Sequence, residues 1–526
     1  MNVNLYGCQG KWVMVDLGLT FSDPAYPGVE LVLPDLSFIE ERRDDLLGIV
    51  LTHGHEDHIG AIPYLAADLD VPLYATPFTA ALIRGKLEEE GIVDDIELNV
   101  IDNEGCFSIG PFGFRYVPLA HSIPEGNALL IATPYGRVFH TGDWKIDEKP
   151  LLGVPSTPQQ LTALGDEGVL ALVCDSTNVF NPEPSGSEGD VHVGLLDVIS
   201  KARHRVLVTT FASNAARLQT LGEVAKETGR TLCVAGRSLD RIIANAKASG
   251  YLKDFPKVVD FDQAMEMPRD KVMIIATGGQ GEPRAALSRI AADTHPIKLD
   301  KDDLVVFSSK QIPGNEIAIG KIQNAFAARG VEMTTDRQAH VHVSGHPGRP
   351  ELLAMYGWIR PRILVPVHGE LRHMAEQAQL GLDSGIPEAV FQNNGNLVRL
   401  APGKAEIIGH ALTGRLVLDG DVILPADGAT MNERRKISVH GQISVAVAID
   451  DDGDLIGQPA IRMQGVPVEE DRDAFLVEAA EAAQDVVAEG LADTEKLREK
   501  IRLAVRRTAT RWTGKKPVVD VLLIAQ

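Results

Sequence analysis

No run in this 526-residue chain approaches the roughly 20 consecutive apolar residues that a membrane-spanning helix requires, so a helical membrane protein is excluded and a soluble one expected. The opening segment MNVNLYGCQGKWVMVDLG lacks the basic start, apolar stretch and small-residue cleavage site of a secretory leader, which predicts a cytoplasmic protein. Cysteine is scarce. Cys8, Cys106, Cys174 and Cys233 lie far apart with no C-x-x-C pair, which excludes a disulfide scaffold and predicts reduced thiols. Positive charge is also short: 51 Lys and Arg face 73 Asp and Glu, a net charge of −22. A chain this acidic repels a polyanion, so nucleic acid is an expected partner only if divalent cations and a locally basic groove reverse the field at a site. Internal repeats and low-complexity tracts are absent.

The length calls for two or three domains. Residues 1–188 read as short apolar strands (WVMVDLG, GIVLTHG, VPLYAT, FGFRYVPLA, ALLIATP, RVFHTGD, VLALVCD), with a helix after His58 whose face is Ile59, Ile62, Leu65 and Leu69. Strands with helices outside them predict an α/β sandwich. Residues 189–348 alternate strand and helix: RVLVTTFA with Asn214–Thr228, TLCVAG with Ser238–Ala248, KVMIIATGG with Pro283–Ala292, DLVVFSS with Gly314–Arg329. That pattern predicts a parallel, doubly covered, Rossmann-like sheet. No G-x-G-x-x-G follows its first strand, so no dinucleotide is inferred. ILVPVHGE, in residues 349–430, resumes the earlier pattern, as if the second domain were inserted into the first. Residues 431–526 predict a small C-terminal α/β domain: strands Gln442–Ile449 and Ala460–Gln464, two helices, and VVDVLLIAQ.

The strongest chemical signal is His53-Gly-His55-Glu-Asp57-His58 after the strand GIVLT. Four potential ligands in six residues cannot all point one way from a regular element, so they belong on a loop at a strand end. Imidazole with carboxylate suits zinc or manganese, and two ligand sets in one segment suggest two ions. His121 in VPLAHSIPEG, Asp143 in VFHTGDWK and His368 in ILVPVHGE share the strand-then-loop context. Each alone reads as an ordinary polar residue; together with the first motif they read as ligands. Two cations about 3.5–4 Å apart can activate a shared water and stabilise an in-line displacement.

H-x-H-x-D-H, a lone His and T-G-D resemble the ligand series of the metallo-β-lactamase superfamily. The resemblance implies His53, His55 and His121 on one ion, Asp57, His58 and His368 on the other, and Asp143 bridging, with zinc expected and manganese or magnesium as alternatives. CDSTN (Asp175–Asn178), FASNAARLQ (Phe211–Gln219), TGGQGEP (Thr277–Pro283), SSKQIPGNE (Ser308–Glu316) and HVSGHPGR (His342–Arg349) resemble the β-CASP nucleases, the ribonuclease J family in particular. This implies a metallo-β-lactamase αββα sandwich, an inserted Rossmann-like β-CASP domain and a C-terminal α/β domain.

The implied activity is 5′→3′ degradation of single-stranded RNA with a 5′-monophosphate preference, internal cleavage as a second mode, and roles in RNA maturation and mRNA decay. By the same resemblance His342, Val343, Ser344, Gly345 and His346 contact the RNA, and His346 with Asp175 assists the leaving group. Asp57 counts among the catalytic residues as well as the ligands. The Gly-rich turns SGH and TGGQG offer backbone N–H groups for phosphate, with Arg217, Arg237 and Arg284 as candidate phosphate partners. A basic C-terminal helix (Lys496, Arg498, Lys500, Arg502, Arg506, Arg507, Arg511) reads as an RNA contact, a solvated face or a subunit contact. The family implies a homodimer or homotetramer and RNA-degradation partners. Its members usually begin about twenty residues earlier, with an apolar strand and a Gly-rich turn, so the first sheet is expected to lack its N-terminal strand here unless the native protein is longer, and a longer native protein is expected. The rival readings are a small ester or thioester hydrolase, a catalytically silent RNA-binding scaffold, and a DNA nuclease.

Overall fold

Along the strand Asn127–Thr133, Leu129 and Ile131 face one way and Ala128 and Leu130 the other, and both faces are buried. Strand side chains alternate, so a strand apolar on both faces must lie inside a layered structure. The computed structural model, which describes residues 1–21, 25–312, 314–491 and 493–525, shows those layers. Pro313 of SSKQIPGNE and Gln526 of the expected strand VVDVLLIAQ lie outside the described residues. A seven-stranded sheet runs in the order Glu388–Ala389, Ile363–Val367, Ala171–Asp175, Gly136–His140, Asn127–Thr133, Phe112–Pro118, Cys106–Ile109. Opposite it lies a five-stranded sheet: Asn4–Cys8, Lys11–Val15, Leu46–Val50, Leu73–Ala75, Leu98–Val100. Val13, Val15 and Val50 from one sheet and Phe114, Leu129 and Val173 from the other form the core between them. The outer face of the larger sheet packs Leu130 and Leu172 under Leu161, Leu352 and Met355 of helices Pro158–Asp166 and Arg349–Ile359. Each such side chain contributes about 1.5–3 kcal/mol.

Ala171–Asp175 and Ile363–Val367 are neighbouring parallel strands, Asp175 opposite Val367, although residues 176–362 lie between them in sequence. Within that segment six strands form an all-parallel sheet: Val258–Val259, Thr231–Ala235, Val272–Ala276, Val206–Thr209, Leu304–Phe307, Glu332–Thr334. Its strands Val272–Ala276, Val206–Thr209 and Leu304–Phe307 are buried throughout, as helical crossovers on both faces demand. The expected helices are present as Ala215–Glu227, Arg237–Ala248, Ala286–Ala291 and Glu316–Ala328. The helix expected after His58 is split: a turn, Glu56–Ile59, then Ile62–Leu69.

Residues 1–20 and 36–413 form one compact unit, and residues 21–35 with 414–526 a second. In the second, Leu31–Pro34 pairs antiparallel with Arg415–Asp419. A three-stranded sheet, Ala460–Gln464, Gln442–Ile449, Val518–Ala525, shares a core with helices Arg472–Val487 and Thr494–Thr513. Among the described residues no helix is long and apolar enough to cross a membrane.

Candidate metal centre

Every residue of the expected ligand set stands at or just beyond the end of a strand or in the turn that follows. Leu46–Val50 leads into His53, and the turn Glu56–Ile59 carries Asp57 and His58. His121, Asp143 and His368 follow Phe112–Pro118, Gly136–His140 and Ile363–Val367. The fold collects them into two groups, His53–His55–His121–Asp143 and Asp57–His58–Asp143–His368.

In the first group, His55 Nδ1 lies 3.1 Å from His53 Nε2 and from His121 Nε2. Asp143 Oδ2 is 3.8 Å from both of those Nε2 atoms. A tetrahedral ion with bonds of 2.0–2.1 Å separates its ligand atoms by about 3.3 Å, so these spacings fit one ion. In the second group His368 Nε2 lies 3.1 Å from Asp57 Oδ2 and from Asp143 Oδ1, while His58 Nε2 is 3.2 Å from Asp143 Oδ1 and 3.6 Å from Asp57 Oδ2. The two oxygens of Asp143 thus face one group each. Asp143 Oδ1 is buried with no hydrogen-bond donor among the described residues, a cost a cation would remove. The residues fit divalent ions.

The electrostatics distinguish the two groups. Burial, helped by His58 for His53 and by His55 for His121, drives these two imidazoles well below their ordinary pKa; burial also takes His55 to about 4. They are neutral, the form that ligates. Burial pushes His58 and His368 downward too, but Asp143 and Asp57 outweigh it, holding His58 well above the ordinary value and His368 near 9. Burial acts upward on Asp143 and Asp57, yet His368 and His58 hold Asp143, and His58 and His368 hold Asp57, well below the carboxylate range. The second group therefore sets two ionised carboxylates against two imidazoles that carry an extra proton, which a divalent ion would have to displace to gain nitrogen ligands.

Sequence reasoning missed the residues that aim the ligands. His58 Nδ1 donates to Asp16 Oδ2 at 2.7 Å, and Thr52 N and Oγ1 donate to the same carboxylate. Asp16 adopts φ +64°, a left-handed conformation that costs a non-glycine residue energy and clusters at functional sites. The signal was available: Asp16 follows an apolar strand just as His53 does. Asn2 Nδ2 reaches Asp57 Oδ2 at 3.1 Å and His58 Nε2 at 3.0 Å. His121 Nδ1 donates to Gly345 O at 2.6 Å, so the SGH loop backs a candidate ligand.

His346 Nδ1 lies 2.7 Å from Asp175 Oδ2, with its ring 5.4 Å from those of His121 and His368. Burial lowers the pKa of His346, but Asp175 and Asp143 raise it above the ordinary value. Ser344 Oγ accepts from Asn178 Nδ2 at 2.7 Å and from His346 N at 3.1 Å. The side chain of Val343 is buried against Gly186, so Val343 can offer a ligand only its backbone. His342 is half-buried, and burial with nearby Arg217 lowers its pKa to about 3.

Arg217 is not a phosphate partner. It is fully buried, its Nε and Nη2 paired with Glu188 at 3.1 and 3.0 Å, and its Nη1 donates to Ser308 O and Val341 O. Helical periodicity shows which face a residue occupies, not that a carboxylate 29 positions away meets it. Arg237 and Arg284 are exposed. In TGGQG, the buried Gln280 carboxamide holds Lys310 O, Ile312 N and Asn315, so this turn braces the next loop. On the C-terminal helix, Lys496, Arg498, Lys500, Arg502 and Arg511 pair with Asp493, Glu495, Glu489, Glu499 and Glu478, which weakens its positive field.

The buried Glu351 accepts from Ile146 N, Ser185 N, Ser185 Oγ and Gly348 N. One carboxylate thus holds both passages of the chain, into and out of the parallel-sheet segment, against the loop that follows Asp143.

Residues 2–166 match the metallo-beta-lactamase superfamily, 203–326 the ribonuclease J beta-CASP domain, 331–390 the Zn-dependent metallo-hydrolase RNA specificity domain and 429–525 the ribonuclease J C-terminal domain. The chain is 43% identical over 533 residues to ribonuclease J of Sinorhizobium meliloti, covering 99% of this chain and 94% of that protein. It is 38% identical over 519 residues to ribonuclease J of Mycolicibacterium smegmatis, covering 98% and 92%. A crystal structure of a protein of unknown function from Enterococcus faecalis shares the fold at TM-score 0.51 and 16% identity, covering 79% of this chain and 96% of that one. Fold and site define a metal-binding hydrolytic nuclease of the metallo-β-lactamase and β-CASP type. The chain belongs to the ribonuclease J family.

Proposed function

We propose that this protein is a two-metal ribonuclease that degrades single-stranded RNA 5′→3′ from a 5′-monophosphate end and also cleaves internally. The observation that carries the reading is the pair of four-residue groups sharing Asp143, with the His346–Asp175 pair beside them. His53, His55, His121 and Asp143 would hold one ion, and Asp57, His58, Asp143 and His368 the other; zinc suits this donor set, with manganese or magnesium as alternatives. Such ions supply Lewis acidity and lower the pKa of water.

The chain's own part is positioning and proton transfer. Asp175 orients His346 through Nδ1 and favours its protonated form, leaving Nε2 to donate to the departing oxygen. Ser344 Oγ already accepts two hydrogen bonds, so its own O–H is free to donate to a phosphate oxygen. His342, Val343, Gly345 and His346 complete that RNA-contacting loop. The divalent charge reconciles an acidic chain with a polyanionic substrate. A cytoplasmic location, assembly as a homodimer or homotetramer, and work with other RNA-degrading proteins in RNA maturation and decay belong to the same proposal.

The test is loss of a 3′-labelled single-stranded RNA bearing a 5′-monophosphate or a 5′-triphosphate, with Mn²⁺ or Zn²⁺, against a His55→Ala control. Faster loss of the monophosphate RNA, abolished in the control, is expected. Equal loss of both would overturn the 5′-end preference, and no cleavage of either would overturn the ribonuclease reading.

A further inference from the structure

The DSTN tetrapeptide, residues 175–178, grips two parts of the site at once. Asp175 holds His346, and Asn178 Nδ2 donates to Ser344 Oγ and His346 O. On its other side Ser176 N and Oγ both donate to Val367 O, at 2.9 and 2.8 Å. Thr177 Oγ1 lies 2.8 Å from His368 Nδ1 and 2.9 Å from His368 O. His368 itself sits at φ +52°, a conformation that a non-glycine residue keeps only when its surroundings impose it. The following residue leaves no slack: a Cβ on Gly369 would lie 2.3 Å from Ser176 Oγ.

We propose that Thr177 is a positioning residue that fixes both the backbone and the tautomer of His368 for the second divalent ion. The inference rests on the two-ion reading above. The proton count supports it. His368 Nε2 faces Asp57 Oδ2 and Asp143 Oδ1 at 3.1 Å each, so to ligate it must present a lone pair there, and the ring proton must sit on Nδ1. A hydroxyl has one donor and two acceptor positions. Thr177 Oγ1 can accept from Nδ1–H while its own O–H donates to His368 O, so one side chain satisfies both contacts and selects the Nδ1–H tautomer. His58 receives the same service from Asp16 and His121 from Gly345 O; for His368 it comes from a neutral hydroxyl on the turn that follows Asp175.

The test uses the full chain with Thr177→Val, which keeps the shape without the hydroxyl, and Thr177→Ser, which keeps the hydroxyl. Metal-free protein is titrated with Mn²⁺ and with Zn²⁺ against a chromophoric chelator, with thermal unfolding run beside it. The Val variant is expected to bind the second ion about 10–100-fold more weakly, as loss of a partner behind a ligating histidine does, with the first ion unchanged and Ser restoring wild-type affinity. A folded Val variant with wild-type affinity for the second ion would overturn the proposal. Should Val fail to fold, ¹⁵N imidazole spectra of the Zn²⁺-loaded wild type decide: a proton on His368 Nδ1 supports the proposal and a proton on Nε2 overturns it. Wild-type protein that binds only one ion would overturn the two-ion reading, and this inference with it.

Discussion

Glu188→Gln isolates the role of Arg217. Both side chains are buried, and the guanidinium makes two bonds to the carboxylate and two to the carbonyls of Ser308 and Val341. The substitution keeps the shape and removes the counter-charge, leaving a buried cation uncompensated. Breaking a buried pair in this way costs about 3–5 kcal/mol. At about 2–4 °C per kcal/mol for a segment of this size, the melting temperature should fall by roughly 6–20 °C. Urea unfolding followed by circular dichroism measures the loss directly. A double-mutant cycle with Arg217→Met and Glu188→Leu should show strong coupling, the double variant being more stable than the sum of the single losses predicts. A phosphate-binding arginine behaves differently: removing it lowers the salt slope of single-stranded RNA binding by about 0.7 per contact and leaves stability nearly unchanged. Glu188→Gln within about 1 kcal/mol of wild type would refute the reasoning, as would an Arg217→Met variant of wild-type stability with a reduced salt slope.

Asp175→Asn removes an upward influence on the pKa of His346. His346 is protonated below its pKa and loses its proton as pH rises through it, so activity that needs the protonated form falls on the alkaline side. In the variant that fall should move to lower pH; an unmoved alkaline limb of kcat would rule out the acid role. Gly345→Ala places a Cβ 2.8 Å from His121 Cε1 and 3.0 Å from Nδ1, pushing the imidazole from its group. Mass spectrometry of the native protein should then find the first ion depleted, and full occupancy would show that the loop yields instead. Glu351→Gln sets an NH₂ group among four donors and should forfeit one or two charge-assisted bonds of about 1.5–3 kcal/mol each. Turnover of RNA should drop more than that of a small aryl phosphodiester, and an equal drop in both would place the damage at the candidate metal groups rather than at the positioning of RNA by the proposed contact loop.

The sequence by itself made the candidate metal-binding residues of this protein legible. His53-Gly-His55-Glu-Asp57-His58 packs too many ligand types into one short segment to serve structure alone. The strand-then-loop setting of His121, Asp143 and His368 is equally local, since it needs only apolar runs that end where polar residues begin. Period-two and helical patterns likewise made the layered sheets and the parallel-sheet segment legible. Tertiary structure alone decided partnership. Arg217 is a structural cation because Glu188 and the carbonyls of Ser308 and Val341 converge on it from three segments, and no periodicity carries that information. Asp16, Thr177 and Glu351 act through hydrogen bonds to residues 42, 191 and up to 205 positions away. Side-chain type and spacing report local geometry, whereas the direction of a donor toward a distant acceptor exists only once the chain has folded.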